Sequence, residues 1–269
     1  MGYLLIIRPL NCLLTFIAVL VGAWIGQDIV IPPLLILAGV IGFIVCAFGN
    51  IINDLYDIEI DRINNPNRPL PSGRVNKKII EILAGLFFVS ALLFSCRLGA
   101  LPFFIVLGAL LLLFFYAAYL KKIILGNFVV ALITGLSFIL GGLVMKNSFC
   151  IWASFFSFFI HFSREIIKDV IDIKGDKSRE IRSLPIIFGV KWACNISVMA
   201  LAILCIIIIL PLILKILGLP YLLTVLLSAY PIIIFTILRL LKNPPLEELK
   251  RLSNLLKISM VIGLVAMVL

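Results

Sequence analysis

Long apolar runs separated by short polar segments dominate this sequence. Most runs approach the roughly 20 residues that a helix needs to span the hydrocarbon core of a bilayer, where a helix satisfies its own backbone N–H and C=O groups. The pattern therefore predicts an all-α integral membrane protein with nine transmembrane helices around a central cavity. The predicted segments are 10–26, 33–53, 78–96, 99–119, 124–145, 149–167, 191–214, 218–240 and 253–269.

The composition agrees with a membrane protein. Of the 269 residues, 63% are hydrophobic and only 13% are charged, whereas soluble domains contain about 25% charged residues. The six cysteines stand singly in apolar runs without metal-binding spacing, so we interpret them as packing residues. We treat residues 1–269 as one transmembrane domain with two polar motif loops, at about 54–77 and 165–190.

The basic residues predict the orientation of the chain. With nine helices, every Lys and Arg except Arg97, Lys146 and Lys215 falls on one side of the bilayer, and such residues concentrate in cytoplasmic loops. We therefore expect a multi-pass protein of the cell membrane with its N-terminus and motif loops in the cytoplasm and its C-terminus outside. The net charge of +10 then reflects topology and attraction to lipid headgroups, and we expect no nucleic-acid partner.

Most of the acidic residues fall in two short stretches, NDLYDIEID and REIIKDVIDIKGD. If each stretch continues the helix before it, four polar side chains recur at i, i+4, i+7 and i+11 and form a single stripe. The two stripes, about 115 residues apart, indicate a weak internal repeat. Their members are Asn50, Asp54, Asp57 and Asp61 in the first stretch, and Glu165, Asp169, Asp172 and Asp176 in the second.

Carboxylates on one stripe repel one another unless a cation neutralises them. Solvated helix ends are the plain alternative, but two clusters with matched spacing favour a metal site. Hard oxygen ligands without His or Cys favour Mg²⁺ or Mn²⁺, and Mg²⁺ commonly bridges carboxylates to a phosphate ligand. We predict a diphosphate site with Mg²⁺, as two ions. The predicted metal ligands are Asp54, Asp57, Asp61, Asp169, Asp172 and Asp176.

Further polar residues lie close to these stripes. Asn50 and Asn53 can bind metal-bound water or phosphate. Four basic residues can take the charge of a leaving diphosphate: Arg68, Arg164, Lys168 and Arg182. Basic residues at a membrane interface also act as topology determinants, so that alternative stays open for each. The candidates for binding an acceptor molecule are Tyr116, Tyr119, Lys121, Lys122, Arg8 and Asn11. Phe48 and Tyr56 join the two tyrosines as aromatic candidates for stabilising a cation.

The two motifs resemble those of the UbiA superfamily of intramembrane prenyltransferases. Its first motif, NDxxDxxxD, corresponds to Asn53, Asp54, Asp57 and Asp61, and its second, DxxxD, to Asp172 and Asp176 with an acidic residue before it. The resemblance implies an all-helical fold whose central cavity is capped by the motif loops. It also implies Mg²⁺-dependent ionisation of a prenyl diphosphate, followed by capture of the allylic cation by an acceptor. The expected catalytic residues are Asp57, Asp61, Asp172, Asp176 and Arg68.

The motif strings look most like those of archaeal members that add a geranylgeranyl group to geranylgeranylglyceryl phosphate, forming the second ether of archaeal membrane lipids. The expected partners are thus a prenyl diphosphate donor, a lipid-like acceptor and the bilayer. An aromatic or tetrapyrrole acceptor (4-hydroxybenzoate, a naphthoate, a chlorophyllide or haem) remains an alternative. An ion-coupled transporter is more remote, because its carboxylates would lie near the bilayer midplane. Prenyl length and oligomeric state stay open.

Overall fold

The computed structural model describes residues 2–177 and 181–269, and every regular element in these ranges is helical. The motif loop predicted at 165–190 therefore lies partly outside the described residues. The helices are α1 (Gly2–Ile7), α2 (Pro9–Trp24), α3 (Pro33–Tyr56), α4 (Ile58–Asn64), α5 (Lys77–Ser95), α6 (Ala100–Ala118), α7 (Gly126–Met145), α8 (Cys150–Lys177), α9 (Leu184–Ile187), α10 (Val190–Ile213), α11 (Leu219–Thr224), α12 (Tyr230–Leu240) and α13 (Leu246–Ala266). A π-helical turn at Val225–Ala229 joins α11 to α12.

Each of the nine predicted segments contains one long helical element. Within the described ranges, seven of these elements are long and apolar enough to cross a membrane: 33–56, 77–98, 100–118, 126–145, 150–173, 190–213 and 219–240. Helix α2 is shorter, at 16 residues, and α13 begins with charged residues. The multi-pass character is therefore confirmed, whereas the count of nine crossings stays a prediction.

The buried apolar residues form two clusters that share α2 and α7. One cluster joins these helices to α3, α5 and α6, and the other joins them to α8, α10 and the helices of the C-terminal third. Val19 and Ala18, neighbours on α2, belong to different clusters, as do Leu140 and Phe138 on α7. The α2–α7 pair thus lies between the two halves of the bundle.

Glycines allow α2 and α7 to approach closely. A Cβ atom on Gly141 would lie 1.8 Å from the carbonyl oxygen of Val19, and one on Gly22 would lie 2.1 Å from that of Phe138. Close backbone contact between small residues is a common basis of helix association in membranes, where lipid provides no hydrophobic force between helices. The contact packs α2, which follows Arg8, against α7, which carries Asn127 near its start.

The first acidic stripe crosses a break between two helices. Helix α3 ends at Tyr56, Asp57 has φ −96° and ψ 3°, and α4 begins at Ile58. The i to i−4 hydrogen bonds nevertheless continue, from Asp57 N to Asn53 O at 3.0 Å and from Asp61 N to Asp57 O at 2.7 Å. The stripe is therefore retained across the break. Helix α8 carries the second stripe without interruption, as the sequence predicts.

Candidate active site

Three buried carboxylates of the first motif each contact a cationic side chain. The exposed fractions of Asp54, Asp57 and Asp61 are 5%, 7% and 3%. Arg8 contacts Asp54, Lys121 contacts Asp57, and Arg68 Nη1 lies 2.6 Å from Asp61 Oδ2. Buried charges are costly unless they are paired and hydrogen-bonded, which accounts for this arrangement.

Amide side chains complete the first motif. Asn53 Nδ2 donates to Asp57 Oδ2 at 3.0 Å, and Asn65 Nδ2 donates to Asp61 Oδ1 at 3.2 Å. Asn50 has a different partner, because its Nδ2 donates to the carbonyl oxygen of Ile7 at 2.8 Å. Asn50 thus fixes the backbone next to Arg8, which has a positive φ of 54° between α1 and α2.

The second motif has its own hydrogen-bond partners. Asn127, at the start of α7, donates to Asp169 Oδ2 at 2.7 Å. Lys168 Nζ lies 2.8 Å from Glu165 Oε2, and Arg164 Nη1 lies 3.4 Å from Glu165 Oε1. Asn127 is not among the site residues that the sequence predicts. Its only sequence signal is its place as a single amide just after the Lys121–Lys122 loop, at the start of an apolar helix.

The two motifs meet at one end of the bundle. Tyr116 lies within electrostatic reach of Asp57 from the first motif and of Glu165, Asp169 and Asp176 from the second. The backbone N–H of Arg182 donates to the carbonyl oxygen of Lys122 at 2.9 Å, so the segment after the second motif contacts the loop after α6. The predicted convergence of the two motifs is thus present in the structure.

A cavity of about 550 Å³ extends from this polar end into the apolar interior. Its lining comes from α2, α3, α6, α7, α8 and the C-terminal helices, and it reaches Tyr221 and Met267 near the opposite end. The motif end of the cavity carries a polar rim, whose residues are Arg8, Asn11, Asn50, Asn53, Tyr116, Arg164, Glu165 and Lys168. The combination of a polar rim and an apolar interior matches an amphiphile with an anionic head and a long apolar chain.

Several predicted site residues do not line this cavity. Tyr119 has an exposed fraction of 65%, and Lys122 is also exposed. Phe48 packs against Phe88 with ring centroids 5.6 Å apart, within the core cluster of α3 and α5. Tyr56 packs against a ring of α6 and is about half exposed. Of the four aromatic candidates, Tyr116 is the one in the cavity lining.

The donor atoms suit Mg²⁺, because they are hard carboxylate oxygens accompanied by amides. Within the described ranges, no three Asp, Glu, His or Cys side chains converge into a ready set of metal ligands. Cationic side chains instead neutralise the carboxylates of the first motif. The residue types therefore fit the predicted ion, while the side-chain arrangement is one of ion pairs.

A membrane bundle whose apolar cavity opens onto paired acidic motifs suits an enzyme that acts on amphiphiles with charged heads. The chain belongs to the UbiA prenyltransferase family, whose sequence profile matches residues 15–260. It is 36% identical over 266 residues to the digeranylgeranylglyceryl phosphate synthase of Methanosphaera stadtmanae, covering 98% of this chain and 97% of the relative.

Solved structures share the fold. A structure of digeranylgeranylglyceryl phosphate synthase in membranes matches with a TM-score of 0.84 and 34% identity, covering 99% of this chain and 96% of that one. A UbiA homologue from Archaeoglobus fulgidus, bound to DMAPP and Mg²⁺, matches with a TM-score of 0.72 and 20% identity over 99% of each chain. At that identity, the second match supports the fold alone.

Proposed function

We propose that this protein transfers a geranylgeranyl group from geranylgeranyl diphosphate to geranylgeranylglyceryl phosphate, with Mg²⁺ as cofactor. The observation that carries the proposal is the meeting of two acidic motifs and their cations at the mouth of an apolar cavity. The full-length likeness to a digeranylgeranylglyceryl phosphate synthase supports the choice of acceptor over an aromatic ring. The partners are then a prenyl diphosphate, a lipid-like acceptor and the bilayer.

Asp57, Asp61, Asp172 and Asp176 would hold Mg²⁺, with Asp54 and Asp169 as further ligands or hydrogen-bonding neighbours. When bound, Mg²⁺ supplies positive charge that stabilises the departing diphosphate. Two ions are part of this proposal. Lys121 and Asn53 already position the Asp57 carboxylate, and Arg68 positions that of Asp61. These contacts hold the predicted ligand carboxylates in position before a substrate binds.

Cationic side chains stabilise the leaving group in this scheme. Arg68, Arg164 and Lys168 donate hydrogen bonds to the diphosphate as its bond to the allylic carbon breaks. The apolar cavity keeps water from the allylic cation, and the ring of Tyr116 stabilises its charge. The acceptor hydroxyl oxygen forms the ether bond and releases its proton at the polar mouth. No strong general base is needed for this step.

Residues 1–269 act as a single domain in this proposal. Its motif end and its N-terminus face the cytoplasm. The water-soluble diphosphate group of the donor can reach the site from that side. The distribution of Lys and Arg supports this orientation.

A competition assay tests the proposed reaction. Purified protein receives geranylgeranyl diphosphate and Mg²⁺, with geranylgeranylglyceryl phosphate and 4-hydroxybenzoate offered together. We expect prenylation of the glyceryl phosphate and its loss when a chelator removes the metal. Preferential prenylation of the aromatic acid would contradict the acceptor assignment, and equal turnover with chelator would contradict the metal.

A further inference from the structure

Four cationic side chains line the cavity: Arg8, Arg164, Lys168 and Lys257. Three of them have a carboxylate partner. Arg8 contacts Asp54, and both Arg164 and Lys168 contact Glu165. Among the described residues, Lys257 makes no ion pair and no side-chain hydrogen bond, and its side chain is exposed, so its ammonium group is accessible to a ligand that enters the cavity.

Lys257 lies where the lining changes from polar to apolar. On α13, Lys250, Ser253 and Lys257 recur at i, i+3 and i+7 and share one face. Lys250 is within electrostatic reach of Asp172 in the second motif, and Lys257 lies about 10 Å deeper along the helix axis. Two further α13 residues, Met260 and Leu264, continue the lining into the apolar interior.

A contact with α8 fixes the position of this α13 face along the bundle. Arg164 Nε donates to the carbonyl oxygen of Ser253 at 3.3 Å, one turn before Lys257. Arg164 thereby links α13 to the helix that carries the second motif. Lys257 therefore follows, by one helical turn, the α13 residue that Arg164 contacts, and both side chains line the cavity.

We infer that Lys257 binds the phosphate group of the acceptor, an inference that rests on the proposed function. The motif residues account for the diphosphate of the donor, but the acceptor carries a second anionic group. Of the three basic residues that the sequence suggests for this group, Arg8 contacts a motif carboxylate, and Lys121 and Lys122 lie outside the cavity lining. An ammonium group without a protein partner gains a charge-assisted hydrogen bond when it meets a phosphate.

The orientation of the acceptor follows from this contact. With its phosphate at Lys257, its apolar chain can lie along Met260 and Leu264, while its glycerol hydroxyl points toward the motif end. The headgroup of a bulk lipid has similar phosphate chemistry, and a lysine near a membrane interface also extends toward such headgroups. The experiment must therefore separate the acceptor from bulk lipid.

The test compares Lys257→Gln, Lys257→Arg and wild type in neutral detergent, which contains no anionic headgroups. The matched control is Arg251→Gln, an exposed α13 position outside the cavity lining. We expect Lys257→Gln to raise the KM for geranylgeranylglyceryl phosphate about tenfold, the size of one charge-assisted contact. The KM for geranylgeranyl diphosphate stays the same, Lys257→Arg restores most of the acceptor affinity, and Arg251→Gln changes neither constant.

A phosphate-free acceptor, geranylgeranylglycerol, separates recognition of the phosphate from packing. We expect its KM to be equal in wild type and Lys257→Gln. An unchanged KM for the phosphorylated acceptor in Lys257→Gln would overturn the inference and leave bulk headgroups as the partner of Lys257. An equal loss with both acceptors would also overturn it. If the wild type prenylates neither acceptor, the proposed function itself fails, which is a distinguishable result.

Discussion

Lys121, in the loop after α6, contacts the buried carboxylate of Asp57 at the end of α3, although the two residues are 64 positions apart in sequence. The same lysine lies 3.4 Å from Asn53 Oδ1, so it joins the first motif through two partners. These contacts indicate that Lys121 neutralises a motif carboxylate and orients it. Its role in binding the acceptor stays a prediction.

The metal assignment predicts that one carboxylate from each motif is essential. Asp57→Asn and Asp172→Asn preserve side-chain shape but remove a charged ligand, so we expect turnover to fall by about a thousandfold or more. The measurement is product formation at saturating Mg²⁺ with protein that elutes as a single species. Glu59→Gln is the matched control, because Glu59 belongs to the same acidic stretch but has an 80% exposed side chain that pairs with Arg62.

Near-normal, Mg²⁺-dependent turnover in either aspartate variant would remove that residue from the site. A comparable loss in Glu59→Gln would indicate that the whole acidic stretch acts through its net charge.

The hydrogen bond from Asn127 to Asp169 predicts that removal of the Asn127 amide weakens metal binding. Its amide donates to Asp169 at 2.7 Å, and partners that orient metal ligands typically contribute about 10–100-fold to metal affinity. We expect Asn127→Ala to raise the Mg²⁺ concentration for half-maximal activity about tenfold, with a smaller change in maximal rate. Asn195→Ala, at an exposed position on α10, should behave as wild type. A Mg²⁺ titration that superposes for Asn127→Ala and wild type would leave Asn127 with a structural role only.

The sequence predicts the helices and the helical spacing of the motif carboxylates because both follow local rules. Bilayer thickness sets the length of each apolar run, and helical periodicity places Asp54, Asp57 and Asp61 on one stripe. The partners of these carboxylates depend on how distant helices pack, so contacts such as that of Lys121 with Asp57 have no local signal. The contact of Asn127 with the second motif could not be predicted for the same reason, since a single amide at a helix start is ordinary in an interfacial segment.

The α2–α7 contact predicts a large effect of one methyl group. Gly141→Ala would place its Cβ atom 1.8 Å from the Val19 carbonyl oxygen, and a backbone atom inside a helix cannot move aside alone. Overpacking of this kind typically costs about 1–3 kcal/mol. We expect a lower thermal unfolding midpoint in detergent. Gly85→Ala is the control, because a Cβ atom at Gly85 meets nothing within 4 Å, and that variant should be at least as stable as wild type. Equal midpoints for both variants would contradict the close packing.

The orientation of the chain is tested by labelling single cysteines in sealed vesicles with a membrane-impermeant maleimide. Ser178, in the second motif loop, lies outside the described residues, so Ser72 and Lys242 are better cytoplasmic positions, with Lys215 as the external one. All three side chains are exposed, and the exposed Cys96 must first be replaced. The nine-helix topology places the first motif loop in the cytoplasm and one membrane crossing between Lys215 and Lys242. We therefore expect Ser72→Cys and Lys242→Cys to react from the cytoplasmic side and Lys215→Cys to react from outside. Labelling of Ser72→Cys and Lys242→Cys from opposite sides would contradict both the nine-helix topology and the placement of the charged loops.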